Sequence, residues 1–174
     1  MDAGAGAALR VVTAALQARA VVEIGTGAGV SSLYLLQGMP EDGVLTTIDI
    51  EAENQRAARQ AFAEAGLRSN RTRLIAGRAL DVLPRLTDAA YDLVLLDADL
   101  TEYGSYLQQV IRLLRPGGML AVDDALWQSR VADPAQRDPS TTAVRELGKA
   151  VRDDERLFAS LLPCGDGLLL AVKR

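Results

Sequence analysis

The 174-residue chain has no histidine and only two lysines, Lys149 and Lys173, so the side chains most often used as bases near neutral pH are absent or scarce. Acid–base chemistry must therefore fall to carboxylates, tyrosines or a substrate activated by a metal. A single cysteine, Cys164, excludes an internal disulfide framework, and its setting in Leu161-Leu162-Pro163-Cys164-Gly165 reads as a strand end in a reducing cytoplasm. No stretch reaches the ~18 apolar residues of a membrane helix, and Met1-Asp2-Ala3-Gly4-Ala5-Gly6 has neither the charged nor the apolar region of a leader. A formal charge of −4 and a pI near 4.9 come without a clustered basic surface. The expectation is a cytoplasmic protein with a small-molecule partner, and with neither a nucleic-acid nor a membrane partner.

What the chain does contain is an alternation of short apolar runs with segments of helical period, the pattern of an α/β doubly wound sheet of Rossmann-like type. Strands are expected at 20–24, 44–48, 72–76, 91–96, 118–123, 156–162 and 167–172, and helices at 6–18, 30–38, 53–66, 79–86, 103–114 and 140–153. Gly66 and Pro116-Gly117-Gly118 serve as stop signals. Only Pro163-Cys164-Gly165-Asp166-Gly167 joins the last two strands, which is too short for a crossover helix. The spacing thus predicts a single domain over 1–174, with a seven-stranded, mostly parallel sheet ending in an antiparallel hairpin. Residues 128–139 are polar, carry two prolines and are expected to form a surface loop near the ligand crevice.

The most informative segment is Val21-Val22-Glu23-Ile24-Gly25-Thr26-Gly27-Ala28-Gly29, a β-branched run ending in a glycine-dense turn. A dinucleotide fingerprint places its third glycine at position 30, which here is valine. The pattern also carries Glu23 inside the strand end, a residue suited to a cationic or hydrogen-bond-donating ligand rather than to a diphosphate. S-adenosylmethionine (SAM) fits that chemistry, with its ammonium, sulfonium and ribose diol. Asp49, closing the run Gly43-Val44-Leu45-Thr46-Thr47-Ile48, is placed to accept both ribose hydroxyls.

In an open parallel sheet, ligands bind beyond the carboxyl ends of the strands, where the strand order switches. Asp49 ends the second expected strand, Asp97 and Asp99 the fourth, and Asp123 and Asp124 the fifth. Carboxylates converging from neighbouring strands repel unless a proton, a donor or a cation intervenes, and all-oxygen ligation suits Mg²⁺, Ca²⁺ or Mn²⁺. The alternative is that Asp124 caps a following turn while Asp123 meets loop amides.

Four segments, Glu23-Ile24-Gly25-Thr26-Gly27, Ile48-Asp49-Ile50, Asp97-Ala98-Asp99 and Val122-Asp123-Asp124-Ala125-Leu126-Trp127, together resemble class I SAM-dependent O-methyltransferases, most closely the cation-dependent catechol and caffeoyl-CoA branch. The resemblance runs from about residue 7 to the C-terminus. It implies that Glu23, Gly25 and Thr26 line the methionine moiety of SAM, that Ser31 meets its carboxylate and Asp49 its ribose, and that Gly27, Ile50 and Asp97 also contact the cofactor. It further implies Ala79 beside the adenine, with Asp99 and Tyr106 completing the cofactor pocket. Asp97, Asp123 and Asp124 match the metal positions, Asp97 also serving catalysis, and the assembly implied is a homodimer.

Two positions depart from that branch. Where it carries a base lysine, three residues after the first metal aspartate, this chain has Leu100; where it usually has asparagine as third ligand, this chain has Asp124. The branch also carries some tens of residues before the helix leading into the first strand, whereas about twenty residues precede Val21. The expected reaction is in-line methyl transfer to a hydroxyl oxygen of a small, catechol-like molecule, with Trp127 and the 128–139 loop walling the acceptor side. A SAM-binding protein with little or no turnover is the alternative. A nicotinamide oxidoreductase ranks last, because Val30 replaces the third glycine and no proton-transfer residue is found.

Overall fold

The computed structural model describes residues 1–98 and 102–174. Among them, seven strands form one sheet in the order β3-β2-β1-β4-β5-β7-β6. These are β1 (Ala20–Ile24), β2 (Val44–Asp49), β3 (Thr72–Ala76), β4 (Tyr91–Leu96), β5 (Leu114–Val122), β6 (Leu157–Leu162) and β7 (Leu168–Lys173). The first five pair in parallel, while β7 runs antiparallel to both β5 and β6. The helices are α1 (Ala3–Ala15), α2 (Val30–Gly38), α3 (Ala52–Glu64), α4 (Ala79–Val82), α5 (Tyr103–Leu113) and α6 (Pro139–Asp153). No helix among the described residues is long and apolar enough to cross a membrane.

Alternation along the central strands sorts the helices to the two faces. Val22, Ile24, Val94 and Leu96 point to one side, where they pack with Val110 of α5 and Val144 and Leu147 of α6. Val21, Leu93 and Leu95 point to the other, against Leu9 of α1, Leu35 and Leu36 of α2, and Ala58 and Phe62 of α3. Both faces of β4 are therefore dry, which accounts for its unbroken apolar run Leu93-Val94-Leu95-Leu96.

Three elements depart from expectation by more than two residues, each for a local reason. The first helix starts at Ala3 because Asp2 caps it, accepting from the Gly4 amide at 2.7 Å, and it ends early as Gln17 turns left-handed (φ 51°). The segment expected as one helix at 79–86 is a single α turn followed by a 3₁₀ turn, Leu83–Arg85, in which Pro84 withholds an amide. The fifth strand begins at Leu114 rather than 118: Leu114 already pairs with Tyr91, and Pro116-Gly117-Gly118 is absorbed as a bulge before Leu93 meets Met119. The expected loop at 128–139 contains one 3₁₀ turn, Arg130–Ala132.

At the foot of the sheet, opposite the carboxyl ends of the parallel strands, Asp92 ties three segments together. It accepts from the amides of Arg19 (2.7 Å) and Ala20 (2.9 Å) and from Arg115 Nε (2.6 Å). Asp92→Ala leaves two amides and a guanidinium without this acceptor and is expected to cost about 2–3 kcal/mol. Urea unfolding checks this; a loss below about 0.5 kcal/mol, the scale of an ordinary surface substitution, would show that the tie is dispensable.

Candidate functional site

The strand order reverses between β1 and β4, and the two strand ends are drawn together there by backbone alone. The Asp97 amide donates to Ile24 O at 2.9 Å, and the Gly25 amide donates to Ile48 O at 2.8 Å. Gly25 has φ 98°, and a Cβ there would collide with the carbonyl of Asp97. Only glycine lets the turn pass this close to β4. A Cβ on Gly27 would instead project into open space.

That space is a cavity of about 380 Å³, and Gly25, Gly27, Asp49, Ile50, Ala79, Asp97 and Tyr106 all line it. Asp49 is held in a fixed orientation, accepting from the Gly27 amide (2.9 Å), the Glu51 amide (2.9 Å) and Asn54 Nδ2 (3.1 and 3.2 Å). A carboxylate offers about four lone-pair sites, so a fixed one can still accept from a ligand diol. Across the mouth, Arg78 pairs with Glu102 at 2.9 Å, and the Tyr106 hydroxyl donates to the other oxygen of Glu102.

Glu23 and Thr26 do not line the cavity; they lie beneath it. Glu23 is wholly buried and accepts from Ser32 Oγ and from Thr47 Oγ1 (2.5 Å), while its second oxygen, Oε1, has no partner. Thr26 Oγ1 lies 2.6 Å from Thr47 Oγ1 and accepts from Gln55 Nε2 at 2.9 Å. Gln55 also donates to Ile75 O at 3.1 Å, so one α3 side chain links the glycine turn to β3. Ser31, 3 % exposed in the first turn of α2, is close enough to both Glu23 and Asp97 to donate to either. Asp99 and Leu100 lie outside the described residues.

The other half of the site is acidic. Asp97, Asp123 and Asp124 each present a carboxylate oxygen within 4.8 Å of the others. Asp123 is 1 % exposed, and neither of its oxygens meets a donor in hydrogen-bonding geometry; the Met1 ammonium lies 3.6 Å from Oδ2. Burial, together with the charges of Asp123 and Asp124, pushes Asp97 up to about 6. Burial is also the first cause that raises Asp123 and Asp124, with Asp123's charge adding to the shift at Asp124. An all-oxygen set with orphaned oxygens fits a hard divalent cation. Asp97 belongs to both halves, so the cavity and the carboxylate cluster share one wall.

Sequence reasoning missed Asn54, Gln55 and the Arg78–Glu102 pair. Asn54 was open to inference, standing five residues past Asp49 in the first turn of α3; Gln55 reads as an ordinary helix residue.

The buried Glu23 yields a pH prediction. Burial pushes its carboxyl up to about 7, against 4.5 for an ordinary glutamate, outweighing the hydroxyl donors that favour ionisation. The fold therefore binds this proton more tightly than the unfolded chain does. Its stabilisation is complete below the unfolded value and is lost as pH rises through about 7. Glu23→Gln removes an ionisation that costs roughly 3 kcal/mol at most. The variant should melt above the wild type at pH 8, with the gap closing towards pH 5. A gap that does not vary with pH would contradict the assignment.

The whole chain, residues 1–174, matches the O-methyltransferase family Methyltransf_3. The Mycobacterium tuberculosis protein named "Probable O-methyltransferase Rv1220c" is 53 % identical over 179 residues, covering 99 % of this chain and 80 % of that protein. The O-methyltransferase TomG of Streptomyces achromogenes, involved in tomaymycin synthesis and solved with SAM, aligns at a TM-score of 0.90 with 31 % identity, covering 99 % of this chain and 81 % of its own. Cofactor-bound Rv0187 from MTB aligns at 0.92 with 31 % identity, covering 100 % and 81 %. With half its residues shared with one named O-methyltransferase and its fold shared with another that was solved holding SAM, this chain belongs to the SAM-dependent O-methyltransferase family.

Proposed function

We propose that the protein transfers the methyl group of SAM to a hydroxyl oxygen of a small, catechol-like acceptor held beside a divalent cation at Asp97, Asp123 and Asp124. The observation that carries this reading is the pair of buried Asp123 oxygens without donors, set among three carboxylates that adjoin the cofactor cavity through Asp97. Three converging carboxylates are costly to bury with only the Met1 ammonium, 3.6 Å from Asp123 Oδ2, as counter-charge, and a cation would remove that cost.

Asp49, oriented by the Gly27 amide and Asn54, would hold the ribose, and Ala79 leaves room for the adenine beside it. Gly25 and Gly27 keep the floor free of side chains, so that the methyl donor can be positioned towards Asp97. Alignment of the two reactants supplies much of the rate in such a transfer. When bound, the cation would lower the pKa of a coordinated acceptor hydroxyl and stabilise the resulting oxyanion.

Among the described residues no lysine or histidine side chain reaches this site, and the Met1 amino group there is paired with Asp123. Histidine is absent, and Lys173 Nζ is committed to the carbonyls of Ile111 and Leu114, both at 2.7 Å, at the far end of β5 from Asp123. Lys149 lies on α6 beside a groove against β6.

Calorimetric titration of S-adenosylhomocysteine, with and without Mg²⁺, tests the two halves separately. Asp49→Ala should weaken binding by roughly ten- to a hundredfold through loss of the diol acceptor, the scale of one or two charge-assisted hydrogen bonds. Asp97→Ala should abolish Mg²⁺-dependent turnover of a catechol while the protein stays folded. Turnover that survives chelation of divalent ions would remove the cation from the reading, and unchanged affinity in Asp49→Ala would remove the ribose assignment.

A further inference from the structure

Between Asp124 and Ser129 the backbone does something that non-glycine residues rarely do. Asp124 (φ 54°), Trp127 (48°), Gln128 (54°) and Ser129 (62°) all occupy the left-handed region, three of them in succession. Side-chain sterics disfavour that conformation, so neighbouring structure must impose it. The neighbour is the five-residue turn between β6 and β7. Both carboxylate oxygens of Asp166 accept from the Gln128 amide, at 2.8 and 2.6 Å. The Leu126 amide donates to Asp166 O at 2.8 Å, and the Ala125 amide to Gly167 O at 2.9 Å. Gly167 has φ 86°, and a Cβ there would stand 2.6 Å from Leu126 Cγ and 3.0 Å from Leu126 N, so the two segments meet backbone to backbone.

We propose that Asp166 is a positioning residue: with Gly167 it clamps residues 124–129 in their left-handed path and so holds Asp124 beside Asp123 and Asp97. The clamp reaches the cluster through the chain itself, because the segment it fixes begins at Asp124 and the Trp127 amide donates back to Asp124 O at 3.0 Å. Asp166 also brings a further negative charge close enough to disfavour ionisation of Asp124. A fourth carboxylate there adds to the repulsion at Asp124, and its place is explained by the amides it holds. The consequence for a cation rests on the metal reading above; the clamp on the 124–129 backbone does not.

Trp127 is the only tryptophan, and its indole nitrogen is buried, so its fluorescence reports on the clamped segment alone. In the full chain, without added ions, Asp166→Ala should shift the emission to the red and make the indole more accessible to acrylamide. Asp166→Asn, which keeps a carbonyl acceptor for the Gln128 amide, should stay near the wild type. Mn²⁺ binding, followed by electron paramagnetic resonance, should weaken roughly tenfold in Asp166→Ala, the scale at which residues supporting metal ligands act. S-adenosylhomocysteine affinity should hold within about twofold, since Asp49 ends β2 and Gly27 lies in the turn after β1, both away from the clamp. Equal losses of Mn²⁺ and S-adenosylhomocysteine would mark a general loss of structure and overturn the proposal, as would an unchanged Trp127 signal. Should Asp166→Ala fail to fold, Gly167→Ala pushes on Leu126 from the same turn and must give the same red shift for the clamp to stand. A wild type that retains no Mn²⁺ ends the metal reading, and the Trp127 response then decides the clamp by itself.

Discussion

The site depends on one close approach, the passage of the Gly25 backbone against the carbonyl of Asp97. Any side chain at position 25 would force β1 and β4 apart at their carboxyl ends. Because nothing stands there, the turn after β1 lies directly on the end of β4, and the cavity opening above Gly27 is bounded by Asp97. The same aspartate faces the carboxylates that end β5. The cavity and the carboxylate cluster meet at a single residue because two strands can touch backbone to backbone. Beneath this contact, Glu23, Thr26, Thr47 and Gln55 form a buried polar layer that joins β1, β2, β3 and α3. Such a layer is stiff when satisfied, and two of its oxygens, Glu23 Oε1 and Gln55 Oε1, are left without a hydrogen-bond donor.

Carboxylates stand at both ends of the sheet, and they do opposite work. Asp92, at the foot, is surrounded by amides and a guanidinium; its charge is compensated and it acts as a fastener. Asp97, Asp123 and Asp124, at the top, lie beside one another with the Met1 ammonium 3.6 Å from Asp123, and burial still raises all three. A cluster left in that condition carries electrostatic strain, a feature that concentrates at functional sites. Asp124, where the branch resembled usually has asparagine, adds a third charge. That charge would strengthen the attraction for a cation and weaken the cation's pull on a coordinated hydroxyl.

Much of this was legible in the sequence because its signals are short-range. β-branched runs bounded by glycine and proline mark β1, β2 and β4, and the brevity of 163–167 forces the hairpin. Asp49, Asp97, Asp123 and Asp124 were legible as strand-end acids because each follows such a run directly. What could not be read depends on contacts remote in sequence. Glu23 shares the strand face of Val21, and the pattern alone cannot say that Ser32 and Thr47 wait on that face. The early start of β5 follows from Leu114 pairing with Tyr91, which outweighs the stop signal of Pro116-Gly117-Gly118. The left-handed run after Asp124 has no composition marker at all: Trp127, Gln128 and Ser129 are not residues that choose φ > 0, and only the distant Asp166 amide acceptor explains them.

The scarcity of nitrogen bases then acquires a structural meaning. Proton removal from an acceptor hydroxyl needs either a base poised near the working pH or an electrophile that makes the hydroxyl acidic. The first route is narrow here: histidine is absent, Lys173 is spent on two carbonyls far from the site, the Met1 ammonium is paired with Asp123, and the three carboxylates crowd one another. Asp97, pushed up to about 6 by burial and its acidic neighbours, would fall if a cation neutralised those neighbours, becoming a poorer base as it became a better ligand. The two roles compete for one carboxylate. Ligation is the role that also satisfies the orphaned oxygens of Asp123, so the electrophilic route is the one for which this arrangement of acids is suited.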